Sequence, residues 1–281
     1  MKISLTRLLI YIILAIFSIF YIIPMYIMVV TGMKSFAEVS LDTMWNLPNS
    51  FNFNSFSLAW LGSIKEGFRG ISGSFLNSVF LVVPATVISA LFGSLNGYVL
   101  TKWQFRGSDL IFTMILFGMF IPYQSIIIPL VLTLQRLHVY GTIPGLILVH
   151  VIYGIPISTL IFRNYYVTVP TEMVEASKID GANFLGIYRW VIFPLSTPGF
   201  AVAMIWQFTS IWNDFLFGLI ITPNPASQPI TVALNNLAGS YIVQWNVQIA
   251  GALLTALPPI LIYIFLGKFF LRGLLQGSLK G

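Results

Sequence analysis

The sequence predicts an all-α polytopic membrane protein with six transmembrane helices and both termini in the cytoplasm. Three observations predict it. Of 281 residues, 57% are hydrophobic and 8% charged, against about 25% charged in an average soluble domain. So few charges cannot clothe a water-soluble surface of this size. Mean hydropathy is +0.90, and the apolar residues gather into six runs of the length that crosses a bilayer, about 20 residues. The runs lack the two-residue alternation of a β-barrel, and backbone groups in lipid must pair within their own segment, so the runs are helices.

The first span covers residues 9–31. Lys2 and Arg7 precede it as in a signal peptide, but the run exceeds the roughly 7–15 residues of a cleavable signal core. It reads as a retained signal-anchor. The remaining spans cover 76–101, 110–134, 143–162, 198–222 and 247–267, and the whole of 1–281 reads as one transmembrane domain. Pro24, Pro84, Pro122, Pro129, Pro156, Pro258 and Pro259 fall within spans and predict kinks rather than breaks. In span two, Ala90, Gly93, Ser94 and Gly97 recur at three- and four-residue steps, a small-residue stripe suited to close helix approach.

Lys2, Arg7, Lys102, Arg106, Arg163, Lys178, Arg189, Lys268, Arg272 and Lys280 lie on one side of the spans; Lys34, Lys65, Arg69 and Arg136 lie on the other. The positive-inside rule assigns the richer side to the cytoplasm. Residues 32–75 are then external, with an expected short interfacial helix around 58–68, and so is the uncharged segment 223–246. The chain has no cysteine and only two histidines, His138 and His150. That removes disulfides, thiolate metal sites and histidine-rich metal centres, and His150 reads as a packed, hydrogen-bonded histidine. The net charge of +6 includes no basic run, so nucleic acid is not an expected partner; membrane lipid is.

The cytoplasmic interruption, residues 163–197, carries three of the eight acidic residues, Glu172, Glu175 and Asp180. Pro170 ends what precedes it, and Thr171 is placed to cap a new helix. Glu172 and Glu175 fall where the helix dipole favours negative charge. Met173, Ala176 and Ser177 share a face. Asp180-Gly181 ends the helix, because glycine reaches the left-handed region without penalty. Asn183 can cap a second helix, 184–192, closed by Pro194 and Pro198. The expected object is a helix–turn–helix along the cytoplasmic face, serving either as a docking surface for a soluble partner or as an amphipathic connector held to headgroups.

Glu175-Ala176-Ser177-Lys178-Ile179-Asp180-Gly181-Ala182, followed by Tyr188 and Phe193-Pro194, resembles the EAA signature of ABC importer permeases. Ser177 stands where the signature has alanine, Tyr188 where it has phenylalanine, Val191 for isoleucine and Phe193 for leucine. Phe75-Leu76-Asn77-Ser78, Trp212-Asn213-Asp214 and the ending from Arg272 to Gly281 extend the resemblance over nearly the whole chain, to the maltose-type carbohydrate permeases. The ending and Gln244-Trp245-Asn246 lean toward glucose/mannose permeases. The resemblance implies the ABC type I importer permease fold with a coupling helix that docks on a separate ATPase. Glu175, Ala176, Ser177, Asp180, Gly181, Ala182, Tyr188 and Pro194 would carry that contact. It also implies two ATPase subunits, a homologous second permease, an extracytoplasmic sugar-binding protein and residence in a prokaryotic plasma membrane. The chain has no Gly-x4-Gly-Lys-Ser/Thr phosphate loop, so it is not expected to be an enzyme, and ATP and magnesium belong on the partner ATPase.

For the substrate path, Asp214 is the acidic residue deep in a span, where a charge costs roughly 2.5–3.5 kcal/mol and is a functional hypothesis by default. Gln207, Ser210 and Asp214 share one helical face, flanked by Trp206 and Asn213; Gln124 is a second candidate. Carboxylate, amide and indole suit a sugar, and the same groups suit interhelical hydrogen bonds that fix packing. A glucose-like monosaccharide is the expected cargo, with an oligosaccharide as the other choice. The alternative function is an ion-coupled secondary sugar transporter, which calls for mid-membrane ionisable groups and inverted repeats; Asp214 alone qualifies and no repeat is evident. An intramembrane serine protease at Ser72 needs a histidine base from a later helix, and no histidine follows His150. A scaffold that anchors an ATPase without passing solute is a third choice.

Overall fold

A computed structural model describes residues 4–63, 68–103, 105–238 and 243–278, without the side chains of Phe68 and residues 269–278. Lys65, part of the expected 58–68 helix, the Arg272 side chain and tail residues 279–281 fall outside the described residues. The helices, in chain order, are α1 (Leu5–Gly32), α2 (Asn54–Leu61), α3 (Ser72–Lys102), α4 (Ser108–Phe117), α5 (Ile127–Arg136), α6 (Ile143–Val167), α7 (Thr171–Ile179), α8 (Phe184–Ile187), α9 (Phe193–Leu195), α10 (Thr197–Trp212), α11 (Leu216–Ile221), α12 (Ile230–Asn236) and α13 (Trp245–Ser278). Among the described residues, four helices are long and apolar enough to cross a membrane, and up to six spans result if each of two bent pairs counts as one.

The chain divides into two compact units. The first comprises Met1–Gly73 and Val232–Leu257. Ser4 caps α1, which is exposed along most of its length and buried only at Val30, Thr31 and Gly32. The external helix falls at α2, earlier than 58–68, because Gly62 at φ +83° ends it. A two-residue antiparallel hairpin, β1 (Gly62–Ser63) and β2 (Phe68–Arg69), follows. Lys34, counted as an external charge, is buried and donates to the Thr43 carbonyl at 2.6 Å.

The second unit comprises Ser74–Thr231 and Pro258–Gly281. The small-residue stripe is the α3–α6 contact: a Cβ on Gly93 would lie 2.3 Å from Ser158 Cβ, and one on Gly97 would lie 2.7 Å from Phe162 Cβ. Asn77 and Ser78 pin the segment before α12 to α3: Asn77 donates to the Ala226 and Gln228 carbonyls at 2.8 and 3.1 Å, and Ser78 Oγ accepts from the Ile230 amide at 2.8 Å.

Prolines 24, 84, 156, 258 and 259 sit inside continuous helices. Span three departs from expectation. Ser108–Phe120 and Tyr123–Arg136 meet at 87°, so 110–134 is broken rather than kinked. Ile121 precedes Pro122 and is extended, at φ −74° and ψ 118°; clash with the proline ring disfavours the helical conformation there. Span five is interrupted too. The 16 residues of α10 rise about 24 Å, short of the roughly 30 Å hydrocarbon core. Residues 213–215 then leave the helix before α11.

Candidate functional site

The elbow is built as the spacing predicts at its turn and differently at its start. Pro170 occupies the N-cap of α7 without a side-chain bond. Thr171, expected to cap, is the first helical residue, and its hydroxyl accepts from Lys102 Nζ at 3.3 Å. Lys102 also donates to the Val169 carbonyl at 2.5 Å, tying the end of α3 to the start of α7. At the other end, Gly181 has φ +85°. The Gly181 amide donates to the Lys178 carbonyl and the Ala182 amide to the Ser177 carbonyl, both at 3.0 Å. This pair of bonds is a Schellman motif, which fixes the angle at which the chain leaves the helix. Asn183 Oδ1 then accepts from the Gly186 amide at 2.8 Å and caps α8. The second helix runs on past 192: a π turn at Tyr188–Ile192 carries it through α9 to Leu195, with Pro194 at its start tolerated as a first-turn residue. It meets α10 at 77°.

One face of this elbow is anchored and the other is open. Val174, Ile187 and Ile192 are buried in a single apolar cluster with Ala90 and Tyr98 of α3, Phe162 and Tyr166 of α6, Val169, and Ala203 of α10. Tyr166 hydroxyl bonds Ser94 Oγ at 2.6 Å and Ser196 Oγ at 2.8 Å; Tyr165 hydroxyl donates to the Leu195 carbonyl at 2.7 Å. Glu172, Glu175, Ala176, Asp180 and Gly181 are exposed, as is Pro194, while Ser177 and Ala182 are half-buried. Ser177 hydroxyl donates back to the Met173 carbonyl at 2.7 Å. Tyr188 faces inward: its hydroxyl bonds Ser94 Oγ at 2.9 Å, and its ring lies 5.5 Å from that of Tyr98. Its part is to hold the elbow to α3 rather than to present a surface. Lys178 Nζ sits 4.3 Å above the Trp103 ring, and Trp103 Nε1 donates to the Tyr98 hydroxyl. Ile179, 86% exposed, is the residue on the open face that the sequence reading passed over; its large apolar side chain beside Glu175 was the available signal.

The span-five residues do not form one group. Gln207 is buried and donates from Nε2 to the Gly154 carbonyl at 2.7 Å and to Ser158 Oγ at 3.1 Å. It joins α10 to α6, the packing use of such a group. Trp206 and Ser210 are exposed, and Asn213 is exposed while donating to the Thr209 carbonyl at 2.9 Å. Asp214 lies past the end of α10, in the break, off the face it was expected to share. Its Oδ2 accepts from the Gly218 amide at 3.1 Å, and its carbonyl accepts from Thr231 Oγ1 at 2.5 Å, so the interrupted backbone is partly satisfied. Asp214 Oδ2 stands 3.6 Å from His150 Nε2. Among the described residues, that nitrogen and the Tyr153 hydroxyl are buried without a hydrogen-bond partner, so His150 is packed as expected while its Nε2 makes no hydrogen bond there. Gln124 is exposed beside Tyr123, in the turn after Pro122.

The profile described as binding-protein-dependent transport system inner membrane component matches residues 85–275. A probable ABC transporter permease of Pyrococcus horikoshii is 44% identical over 100% of this chain and 99% of its own length. The xylose/arabinose import permease XacI of Haloferax volcanii is 33% identical over 91% of this chain and 87% of its own. The glucose import permease GlcU of Saccharolobus solfataricus is 29% identical over 96% of this chain and 95% of its own. Among solved structures, a chain of a bacterial ABC transporter that imports the acidic polysaccharide alginate superposes with a TM-score of 0.78 at 21% identity, covering 96% of this chain and 99% of that one.

Proposed function

The chain belongs to the family of binding-protein-dependent transport inner-membrane components, a multi-pass membrane protein with the fold of an ABC importer permease, and we propose that it is one of two permease subunits of an ATP-driven carbohydrate importer. The observation that carries this reading is the elbow: an exposed acidic face at Glu172, Glu175 and Asp180, set on a helix whose other face is locked into α3, α6 and α10. A surface so connected transmits a push from a docked partner to the spans, where a loose loop absorbs it. Glu175, Ala176, Ser177, Asp180, Gly181 and Ala182 form the contact, with Ile179 beside them; Tyr188 and Pro194 hold its shape. The engine is a pair of separate ATPase subunits that bind ATP and magnesium. The elbow and both termini are cytoplasmic.

The cargo is a carbohydrate. Relatives named for glucose, xylose/arabinose, diacetylchitobiose and arabinooligosaccharide uptake support this class. A glucose-like monosaccharide is the proposed member. A homologous second permease completes the pathway, and an extracytoplasmic binding protein delivers the sugar; a neighbouring structure was solved with a bound periplasmic protein. The test is purification of the full complex, followed by ATPase assays with its binding protein and D-glucose, D-xylose, diacetylchitobiose and arabinotriose. The expected result is copurification of a second permease and two ATPase copies, with hydrolysis stimulated by at least one sugar. A chain that purifies without an ATPase, or transports on an ion gradient without ATP, refutes the proposal.

A further inference from the structure

Spans three and five are both broken, and the breaks meet. Tyr123 follows Pro122 at the first break, and Phe217 follows residues 213–215 at the second; their ring centroids lie 5.1 Å apart. Tyr153 and His150 of α6 close on the same Phe217 at 5.2 and 5.7 Å. Irregular backbone is tolerated at membrane depth where it is buried in protein or lines a cavity, and discontinuous helices commonly frame solute sites in transporters. His150 lies seven residues past Ile143, about 10 Å along α6 from the end assigned to the outside.

The polar atoms at this junction are left unpaired in a way that packing alone does not favour. His150 Nε2 and the Tyr153 hydroxyl are buried and hydrogen-bond nothing among the described residues. The 3.6 Å between His150 Nε2 and Asp214 Oδ2 is too long for a hydrogen bond. A buried polar atom without a partner is costly. The Asp214 side chain is 17% exposed, so its carboxylate remains open to an arriving molecule.

We propose that Asp214, His150 and Tyr153, with Tyr123 and Gln124 at the rim, form a subsite for a neutral sugar ring within this subunit. The inference rests on the reading of the chain as a carbohydrate permease. One sugar hydroxyl donates to Asp214 and bonds His150 Nε2; a neighbouring hydroxyl bonds Tyr153; the Tyr123 ring covers a C–H face. The carboxylate also sets the class of cargo. It accepts from hydroxyls and repels a uronate, because like charges at a poorly hydrated site disfavour each other.

Tyr153→Phe is the decisive variant. It removes a hydroxyl that hydrogen-bonds nothing among the described residues and keeps the ring against Phe217. Asp214→Asn keeps an acceptor for the Gly218 amide and removes the charge. In liposomes holding the complete importer, with saturating binding protein and those panel sugars that stimulate the wild type, sugar moved per ATP hydrolysed is expected to fall about five- to tenfold in Tyr153→Phe, which loses one hydrogen bond, and to fall in Asp214→Asn, whose amide oxygen accepts more weakly than the carboxylate. Expression and melting temperature of Tyr153→Phe are expected to match the wild type. Asp214→Asn is expected to admit D-glucuronate, which the wild type excludes. An unchanged sugar-to-ATP ratio in Tyr153→Phe overturns the subsite while leaving the carbohydrate reading intact. A wild-type complex that responds to no panel sugar refutes the carbohydrate reading and the subsite with it.

Discussion

If the elbow receives the ATPase as proposed, a single substitution at Gly181 is expected to separate folding from force transmission. Its φ of +85° lies in the left-handed region, and a Cβ built there meets nothing within 4 Å. A Cβ at this position therefore meets no neighbour within the described residues, and the penalty it brings there is backbone strain. For an ordinary L-residue that strain is roughly 1–2 kcal/mol, and a β-branched residue is a sharper outlier. Gly181→Val then shifts the elbow away from its native turn by a factor of about 5–30, breaking the paired bonds to Ser177 and Lys178. The rest of the fold, anchored through Val174, Ile187 and Ile192, stays in place. Asparagine enters the left-handed region more readily, so Gly181→Asn tests conformation against bulk. Transport per ATP in the reconstituted importer is expected to rank Gly, then Asn, then Ala, then Val, at equal membrane expression. Equal transport by Gly181→Val and wild type refutes a conformational role for this turn.

Further substitutions test the packing. His138 ends α5 with φ +57°, its amide bonded to the Gln135 carbonyl and that of Val139 to the Leu134 carbonyl; His138→Gly is expected to stabilise the purified protein by about 1 kcal/mol, read as a raised melting temperature. Gly93→Leu forces a side chain into Ser158, and a large loss of folded protein is expected by size-exclusion chromatography, whereas the same change at Gly73, where a Cβ meets nothing within 4 Å, is expected to be tolerated. Gln207→Leu removes the bonds to Gly154 and Ser158 and is expected to lower stability by about 1–3 kcal/mol, the cost of unpairing buried groups, with transport per ATP retained in the protein that folds; lost transport at full stability contradicts its packing role.

The elbow was legible in the sequence because its signals are local. Asp180-Gly181, Asn183 and Pro170 each act on backbone within a few residues, and the structure uses all three. Thr171 misled because its hydroxyl answers to Lys102, 69 positions away. Tyr188 misled for the same reason: Ser94 decides which way it faces, and no spacing within the elbow reports that. The breaks in spans three and five were hidden because hydropathy sees composition and not direction; a proline carried inside continuous α3 at Pro84 and one at the break at Pro122 look alike in sequence. The face assigned to Gln207, Ser210 and Asp214 requires a helix unbroken past Asp214, whereas α10 stops at Trp212. His150 was read singly, since nothing in the order of residues brings it to Asp214.

The direct test of the elbow's role uses the absence of cysteine from the chain, which makes a cysteine at position 175 a unique label. An impermeant maleimide is expected to leave Glu175→Cys unlabelled in intact cells, to label it in inside-out vesicles stripped of the ATPase, and to fail again once the ATPase is restored. Labelling from outside intact cells, or labelling that the ATPase does not block, contradicts a cytoplasmic elbow that receives the ATPase.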